Sequence, residues 1–292
     1  MAKEFDFLNI INNKIDNPDY LGDDCAYLKE YNLTISSDSL IEDVHFSRKY
    51  MTPRDIAKKA ALSNISDILS SGAKPEFMTI NLSGRLDDSF IEEFYESINE
   101  TIKEYDMKLI GGDLTKSDKI AIALTVLGNS EGRNISSRKN AKDGYIVAVS
   151  GEFGSSAQGL YNLQNNIKDN YFSAIHKCPV LNKDASTEIA CNTKHPYAMM
   201  DSSDGLLDCL FQIANKSKVN IKAEYNNIPK KTDNRDFVLH GGEDYSLVCA
   251  VHPDDFKNLK HFKAIGLCYC STNPKVFIDN IEAKYKGYNH FE

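Results

Sequence analysis

No stretch of this 292-residue chain approaches the ~18 to 20 consecutive apolar residues that a membrane-spanning helix needs, so no transmembrane anchor is expected. The N-terminal "MAKEFDFLNIINNK" lacks an apolar core followed by a small-residue cleavage site. No secretory signal is therefore read, and a cytoplasmic protein is expected. The seven cysteines include no CxxC pair, and "CYC" at Cys268 to Cys270 has the wrong spacing for a usual zinc knuckle. An odd, scattered set of this kind points to reduced thiols and not to a disulfide framework. Basic residues are in deficit: Lys and Arg number 34 against 42 Asp and Glu, a net charge of −8. That balance disfavours generic nucleic-acid binding, whose affinity rests on phosphate neutralisation. A phosphate ligand must then be met by few basic side chains or by bound cations. Also absent are GxxxxGK[ST], a GxGxxG after the first strand, the GxSxG elbow and HExxH. These absences exclude a Walker-type cradle, a dinucleotide fingerprint and two hydrolase families. No low-complexity tract or short internal repeat stands out.

What is present is an ordinary globular composition, 41% hydrophobic, with strand-like and helix-like segments alternating throughout. "NLTISSD" reads as a strand ending at Asp38. "PRDIAKKAALSNISDILSSGAKP" reads as a helix, with Pro53 in its first turn and Gly72 just past its end. "EFMTINL" is a strand. "DDSFIEEFYESINETIKEYDM" is an amphipathic helix whose Phe90, Ile91, Phe94, Tyr95, Ile98, Ile102 and Tyr105 form a stripe that packs on a sheet. "KLIGGD", ending at Asp113, and "IAIALTVLG" follow as strands. A polar stretch, "NSEGRNISSRKNAKDG", separates this block from "YIVAVSG" and is the expected domain boundary. The second half runs strand, a glycine-containing turn ("GEFGSSAQGL"), helices, "DSSDG", and strands around "FVLHGGEDYSLVCAV". The fold class is α/β or α+β in two domains, 1–136 and 137–292.

Acidic residues recur beside Gly, Ser or Asn: "GDDCA" (Gly22 to Ala26), "SSDS" (Ser36 to Ser39), "NISD" (Asn64 to Asp67), "GGD" (Gly111 to Asp113), "DSSDG" (Asp201 to Gly205) and "HGGED" (His240 to Asp244). Singly, each has a structural explanation in turn or cap chemistry, and Asp204 suits the cap of the helix after it. Together they point elsewhere. Asn64 and Asp67 are three apart and share a helix face, opposite Ile56, Ala60 and Ile65. Strand ends and helix termini are where α/β proteins place ligands. Several carboxylates meeting at one place repel unless cations lie between them, and Mg²⁺ is held by a few carboxylates plus ligand phosphates. "GEFGSSAQG" has the composition of a phosphate cradle at a helix N-terminus, although such a stretch is more often a tight strand-to-helix turn.

In order, GDDCA, SSDS with VHF, NISD with SGA, LIGGD, SSR, DSSDGL, HGGEDY and the closing GYNHF resemble the thiamine-monophosphate kinase family, within the PurM-like superfamily of ATP-using enzymes. The resemblance runs from about Gly22 to Phe291. It implies a two-domain PurM-like fold in which the N-terminal sheets of two subunits pair across a homodimer. It implies several Mg²⁺ ions, ATP as co-substrate and thiamine monophosphate as acceptor. By position it assigns Asp24, Ser36, Ser37, Asp38, Asp67, Asp113, Asp201 and Asp204 to Mg²⁺, with Asp23 adjoining the first. Gly112, Asp113, Arg138 and Ser203 match nucleotide contacts. His45, Glu243 and Tyr288 match positions that meet the thiamine phosphate. The run "RKNAKDGY" departs from the family's RxGAKPGD-like linker, while no ligand carboxylate is lost.

The chemistry implied is in-line transfer of the ATP γ-phosphate to an already ionised phosphate oxygen, so no general base is expected. Alternatives are another PurM-like ATP-dependent enzyme, a two-metal phosphohydrolase, or a nucleotide-binding protein without turnover. Cys25 has no neighbouring Lys and the chain closes on "NHFE", which disfavours the selenophosphate synthetase and hydrogenase-maturation branches.

Overall fold

The computed structural model describes residues 3–16 and 20–285. Helix α1 (Lys3–Asn12) precedes a first sheet of β1 (Ala26–Leu28), β2 (Leu33–Ile41), β3 (Lys74–Ser83), β4 (Lys108–Thr115) and β5 (Ala121–Asn129), with helices α2 (Pro53–Ser71) and α3 (Asp88–Glu104) between strands. The order is β1-β2-β5-β3-β4. All neighbours are antiparallel except β3 and β4, which run parallel and leave β4 at the edge. The second sheet comprises β6 (Ile146–Ser150), β7 (Ala198–Asp201), β8 (Val219–Ala223), β9 (Leu247–Val251), β10 (Lys263–Cys270), β11 (Val276–Ile278) and β12 (Ile281–Glu282). Its order is β12-β11-β8-β10-β6-β9-β7. Helices α4 (Ser155–Gln164), α5 (Phe172–Lys177), α6 (Lys183–Asn192), α7 (Leu206–Ser217), α8 (Arg235–His240) and α9 (Pro253–Phe256) accompany it.

Local chemistry accounts for the main boundaries. Thr52 caps α2, accepting from Asp55 N while Asp55 accepts from Thr52 N, and Pro53 follows at the first position. Gly72 ends the helix at φ +90°, where a Cβ would meet the Tyr197 hydroxyl at 2.6 Å. In α3 the stripe is as the spacing predicts: Phe90, Phe94, Ile98 and the following Tyr105 are buried in the first core. All seven cysteines are free. Among the described residues, no helix is long and apolar enough to cross a membrane.

Three elements differ from the sequence expectation. Strand β2 continues past Asp38 to Ile41, with Asp38 paired opposite Leu124, because β5 offers an unbroken partner. Asp113 likewise lies inside β4, paired opposite Asn81, and does not end it. Phe237 to His240 close a helix, not a strand, since Asn234 caps it by accepting from Asp236 N and Phe237 N.

Helix α2 positions the site. It packs on β2 and β5 of the first sheet and also on β7, α5 and α6 of the second half. It is therefore enclosed on nearly every side, and polar Lys59, Asn64, Ser66 and Ser70 are buried along with Ile56, Ala60 and Ile65. The expectation that Asn64 and Asp67 face away from Ile56, Ala60 and Ile65 does not hold: at 3.6 residues per turn Asp67 falls within about 20° of Ile56 and of Ala60. The seam is stitched by Ser186 Oγ donating to Leu69 O (2.6 Å) and by Lys177 donating to Asp55 (3.2 Å).

Candidate active site

Toward the C-terminal end of α2, Asp24, Asp67 and Asp201 each offer a carboxylate oxygen within 4.8 Å of the other two. They come from the loop before β1, from α2 and from the end of β7. Asp38 belongs to the same field, because its charge helps raise Asp67 and its own carboxyl is raised by burial and then by Asp24. Burial, followed by Asp38, Asp201 and Asp24, holds Asp67 well above the usual carboxylate range. Burial and then Asp24 push Asp201 up to about 7, even though Ser203 donates to it from both N and Oγ. Ser36 shares the inward face of β2 and donates to Asp67 at 2.6 Å. Ser70 donates to Asp24.

The positive charge supplied within this group is small. The Arg138 guanidinium pairs with Asp24 and donates to Gln212, and its backbone N donates to Asp23 at 2.8 Å. Burial works against the Arg138 charge, yet Asp24 overrides it and keeps the guanidinium protonated. Asp23 is thus engaged in fastening the linker, accepting also from Ser137 at 2.7 Å. Asp201 Oδ2 and Asn64 Oδ1 are buried with no partner. Orphaned buried oxygens beside mutually repelling carboxylates fit a hard divalent cation such as Mg²⁺, which takes oxygen ligands.

Beside this acidic pole opens a cavity of about 1160 Å³. Its walls include Asp38, Asp67, Ser203, Asp204, His45 and Glu243, which the sequence singled out, together with Tyr50, Ser156, Leu160, Leu163, His176 and Tyr245, which it did not. His45 is set by Ile41 N donating to its Nδ1 (3.0 Å), which leaves Nε2 to carry the proton of the neutral ring. Glu243 adopts φ +62° and Tyr245 φ +51°. Glu243 N donates to Ser203 O at 2.7 Å, clasping the "HGGED" loop to "DSSDG". That clasp needs Gly242, where a Cβ would sit 2.3 Å from Ser203 O.

Other assignments fall outside the cluster. Ser37 points to the opposite face of β2, donating to Leu124 O at 3.0 Å, because adjacent strand residues alternate. Gly112 and Asp113 stand exposed on edge strand β4, where Asp113 accepts from Thr115 at 3.0 Å. Asp204 does not cap α7; Gly205 occupies the cap position, no side chain caps the helix, and Asp204 faces the cavity. The "GEFGSSAQG" turn does hold an anion, but an internal one: Asp244 accepts from Gly154 N (2.6 Å) and Ser156 N (2.8 Å). Burial pushes Asp244 up to about 7 against those two bonds. Tyr288 lies outside the described residues.

Lys59 and His176 are the functional candidates that sequence reasoning missed. Lys59, 1% exposed, reaches Glu243 at 2.9 Å, and His176 lies 3.5 Å from both. The one available signal was spacing, since Lys59, Ser63 and Asp67 recur every four residues along α2.

Residues 22–129 match the family described as AIR synthase related protein, N-terminal domain. The chain is 35% identical to the thiamine-monophosphate kinase of Bacillus subtilis (strain 168), covering 93% of this chain and 93% of that protein. It is 29% identical to the thiamine-monophosphate kinase of Aquifex aeolicus (strain VF5), over 99% of this chain and 98% of that protein. Among solved structures it is similar to AaThiL complexed with AMPPCP and TMP, with a TM-score of 0.89 and 28% identity over 99% of this chain and 97% of that one.

Proposed function

The chain belongs to the thiamine-monophosphate kinase family, and from that premise we infer that its acidic pole holds magnesium with the ATP phosphates while the adjoining cavity binds the acceptor. The enzyme transfers the γ-phosphate of ATP to thiamine monophosphate, giving thiamine diphosphate and ADP. The observation that carries the site assignment is the convergence of Asp24, Asp67 and Asp201, from distant parts of the chain, on one point beside a cavity large enough for the acceptor.

Asp24, Asp38, Asp67 and Asp201 are the residues that would hold the cations, with Ser36 orienting Asp67. Magnesium held there would supply positive charge against the facing phosphates and the transferring phosphoryl group. No side chain has to remove a proton, because the acceptor phosphate is already ionised at neutral pH. The protein's task is alignment. Ser203 and Asp204 of "DSSDG" sit on the cavity wall beside "HGGED", while His45 and Glu243 line the acceptor's space. Arg138 adds a fixed cation beside Asp24 for the nucleotide.

A homodimer completes this reading. Edge strand β4 is exposed along its length and carries exposed Leu109, Ile110 and Leu114, a long apolar edge of the kind that pairs with another strand. Pairing there covers the edge and places Gly112 and Asp113 in the dimer interface, where their assigned contacts are made.

Two experiments test the assignment. Purified protein incubated with ATP, Mg²⁺ and a panel of phosphate-bearing acceptors is expected to yield thiamine diphosphate, identified by mass, without matching release of free phosphate. Free phosphate in place of a phosphorylated acceptor overturns it in favour of the phosphohydrolase. Sedimentation is expected to return twice the 32.8 kDa chain mass.

A further inference from the structure

Lys59 is a lysine with almost no exposed surface that reaches out of the first-sheet half into the second. Its Nζ lies 2.9 Å from Glu243 Oε1, and His176 Nε2 accepts from it at 3.5 Å. The opposite ring nitrogen of His176 meets Ser156 Oγ at 3.0 Å and Glu243 Oε2 at 3.5 Å. Burial and then Lys59 push His176 down to about 4, so the imidazole is neutral. Glu243 and His176 line the cavity; Lys59 stands behind them.

As a stabiliser such a pair is poor, since desolvating both charges costs about as much as their attraction returns. What it does is aim a carboxylate. The left-handed backbone of Glu243 is the kind of strain that persists only where surroundings over-determine it. Lys59 occupies the same face of α2 as Ser63 and Asp67, eight residues from Asp67, which is about 12 Å along the helix axis. One rigid helix therefore separates the acidic pole from the Glu243 corner.

We propose that Lys59 is a positioning residue for acceptor recognition: it fixes the Glu243 side chain against the cavity, at a set distance from the phosphate-transfer end. The proposal rests on the reading that this cavity holds thiamine monophosphate. Because Lys59 contacts Glu243 and not the acidic pole, its loss is felt in acceptor binding and not in ATP use.

The test is a double-mutant cycle of Lys59→Met, Glu243→Gln and the pair, with kcat, both KM values and melting temperature measured on the full chain. K59M is expected to raise the KM for thiamine monophosphate about tenfold, with kcat and the ATP KM changed less than about threefold, the size expected when a buried group loses its partner. The pair is expected to be no worse than E243Q alone, because Lys59 acts only through Glu243. An unchanged acceptor KM in K59M, or a pair about tenfold worse than E243Q, overturns the proposal. If K59M does not fold, the comparison of E243Q with the charge-free pair decides it by the same criterion. An E243Q enzyme with a normal acceptor KM removes the substrate contact itself, whereas a wild-type protein that makes no thiamine diphosphate removes the functional reading.

Discussion

Two groups of carboxylates lie along one face of α2 and are treated in opposite ways. At the Asp67 end, several acids crowd together with a single guanidinium on Asp24, an orphaned oxygen on Asp201 and carboxyls pushed upward by burial and by each other. At the Lys59 end, one carboxylate is paired with a buried ammonium and braced by a neutral imidazole. The first is electrostatically unfinished and calls for charge from outside. The second is complete, its carboxylate already matched by a partner inside the protein. A third buried acid, Asp244, is also raised to about 7 by burial, but it stands apart from the cluster and is held by two backbone N–H groups. A raised carboxyl alone therefore does not mark the cation site; an orphaned oxygen among neighbouring acids does.

The largest effect expected from breaking the unfinished end is on turnover. Asp67→Asn or Asp201→Asn is expected to lower kcat about a hundredfold, as when other preorganised electrostatic groups are removed. The same substitutions remove repulsion, so the metal-free melting temperature is expected to rise or hold. Near-normal turnover in either variant would remove the distinction between the two ends.

Next comes the acid that stands apart from the cluster. Asp244→Ala leaves two buried N–H groups without an acceptor, and a loss of about 2 kcal/mol or more in unfolding free energy is expected by denaturant titration. An unchanged midpoint would show that water replaces the carboxylate freely.

The pH dependence sharpens the contrast further. Asp201 is raised from its ordinary 3.8 to about 7, so the metal-free folded state holds a proton that the unfolded chain has released. Its contribution is fully present below about pH 4 and is lost as pH rises through about 7. Mg²⁺ competes for the same oxygens, so the rise in melting temperature that it causes is expected to be larger at pH 8 than at pH 6. A rise larger at pH 6 contradicts the assignment.

The smallest effect belongs to Ser37→Ala, expected within about threefold of wild-type turnover because its hydroxyl serves the far face of β2. A loss comparable to that of Asp67→Asn would return Ser37 to the cation site.

Much of this was legible before any coordinates. The α2 boundaries follow from Thr52, Asp55, Pro53 and Gly72, and the α3 stripe from simple periodicity. The acidic set was legible in part: Asp24, Asp38, Asp67 and Asp201 share one field, while Asp113, expected with them, stands exposed on edge strand β4. What misled was polar residues in strands. "SSDS" reads as a strand's end, yet a polar run stays in a sheet when its partner strand continues and its inward groups find bonds, as Ser36 does on Asp67. The helical stretch "RDFVLH" was hidden by its β-favouring residues and revealed only by the Asn234 cap. Spacing was the only signal for Lys59, and it is a weak one because a lysine in a helix ordinarily snorkels to solvent. Only the enclosure of α2 by both halves denies it that route and leaves Glu243 as its partner.

Local order and chemistry were the sequence's to determine: which segments turn, cap or alternate, and that acidic loops recur without basic counterparts. Which carboxylates meet, which are compensated, and which face Ser37 or Lys59 presents were decided by tertiary structure. The reason is physical. Caps and periodicity depend on neighbours a few residues away, whereas the field at a carboxylate depends on charges brought close from any part of the chain and on the water excluded between them.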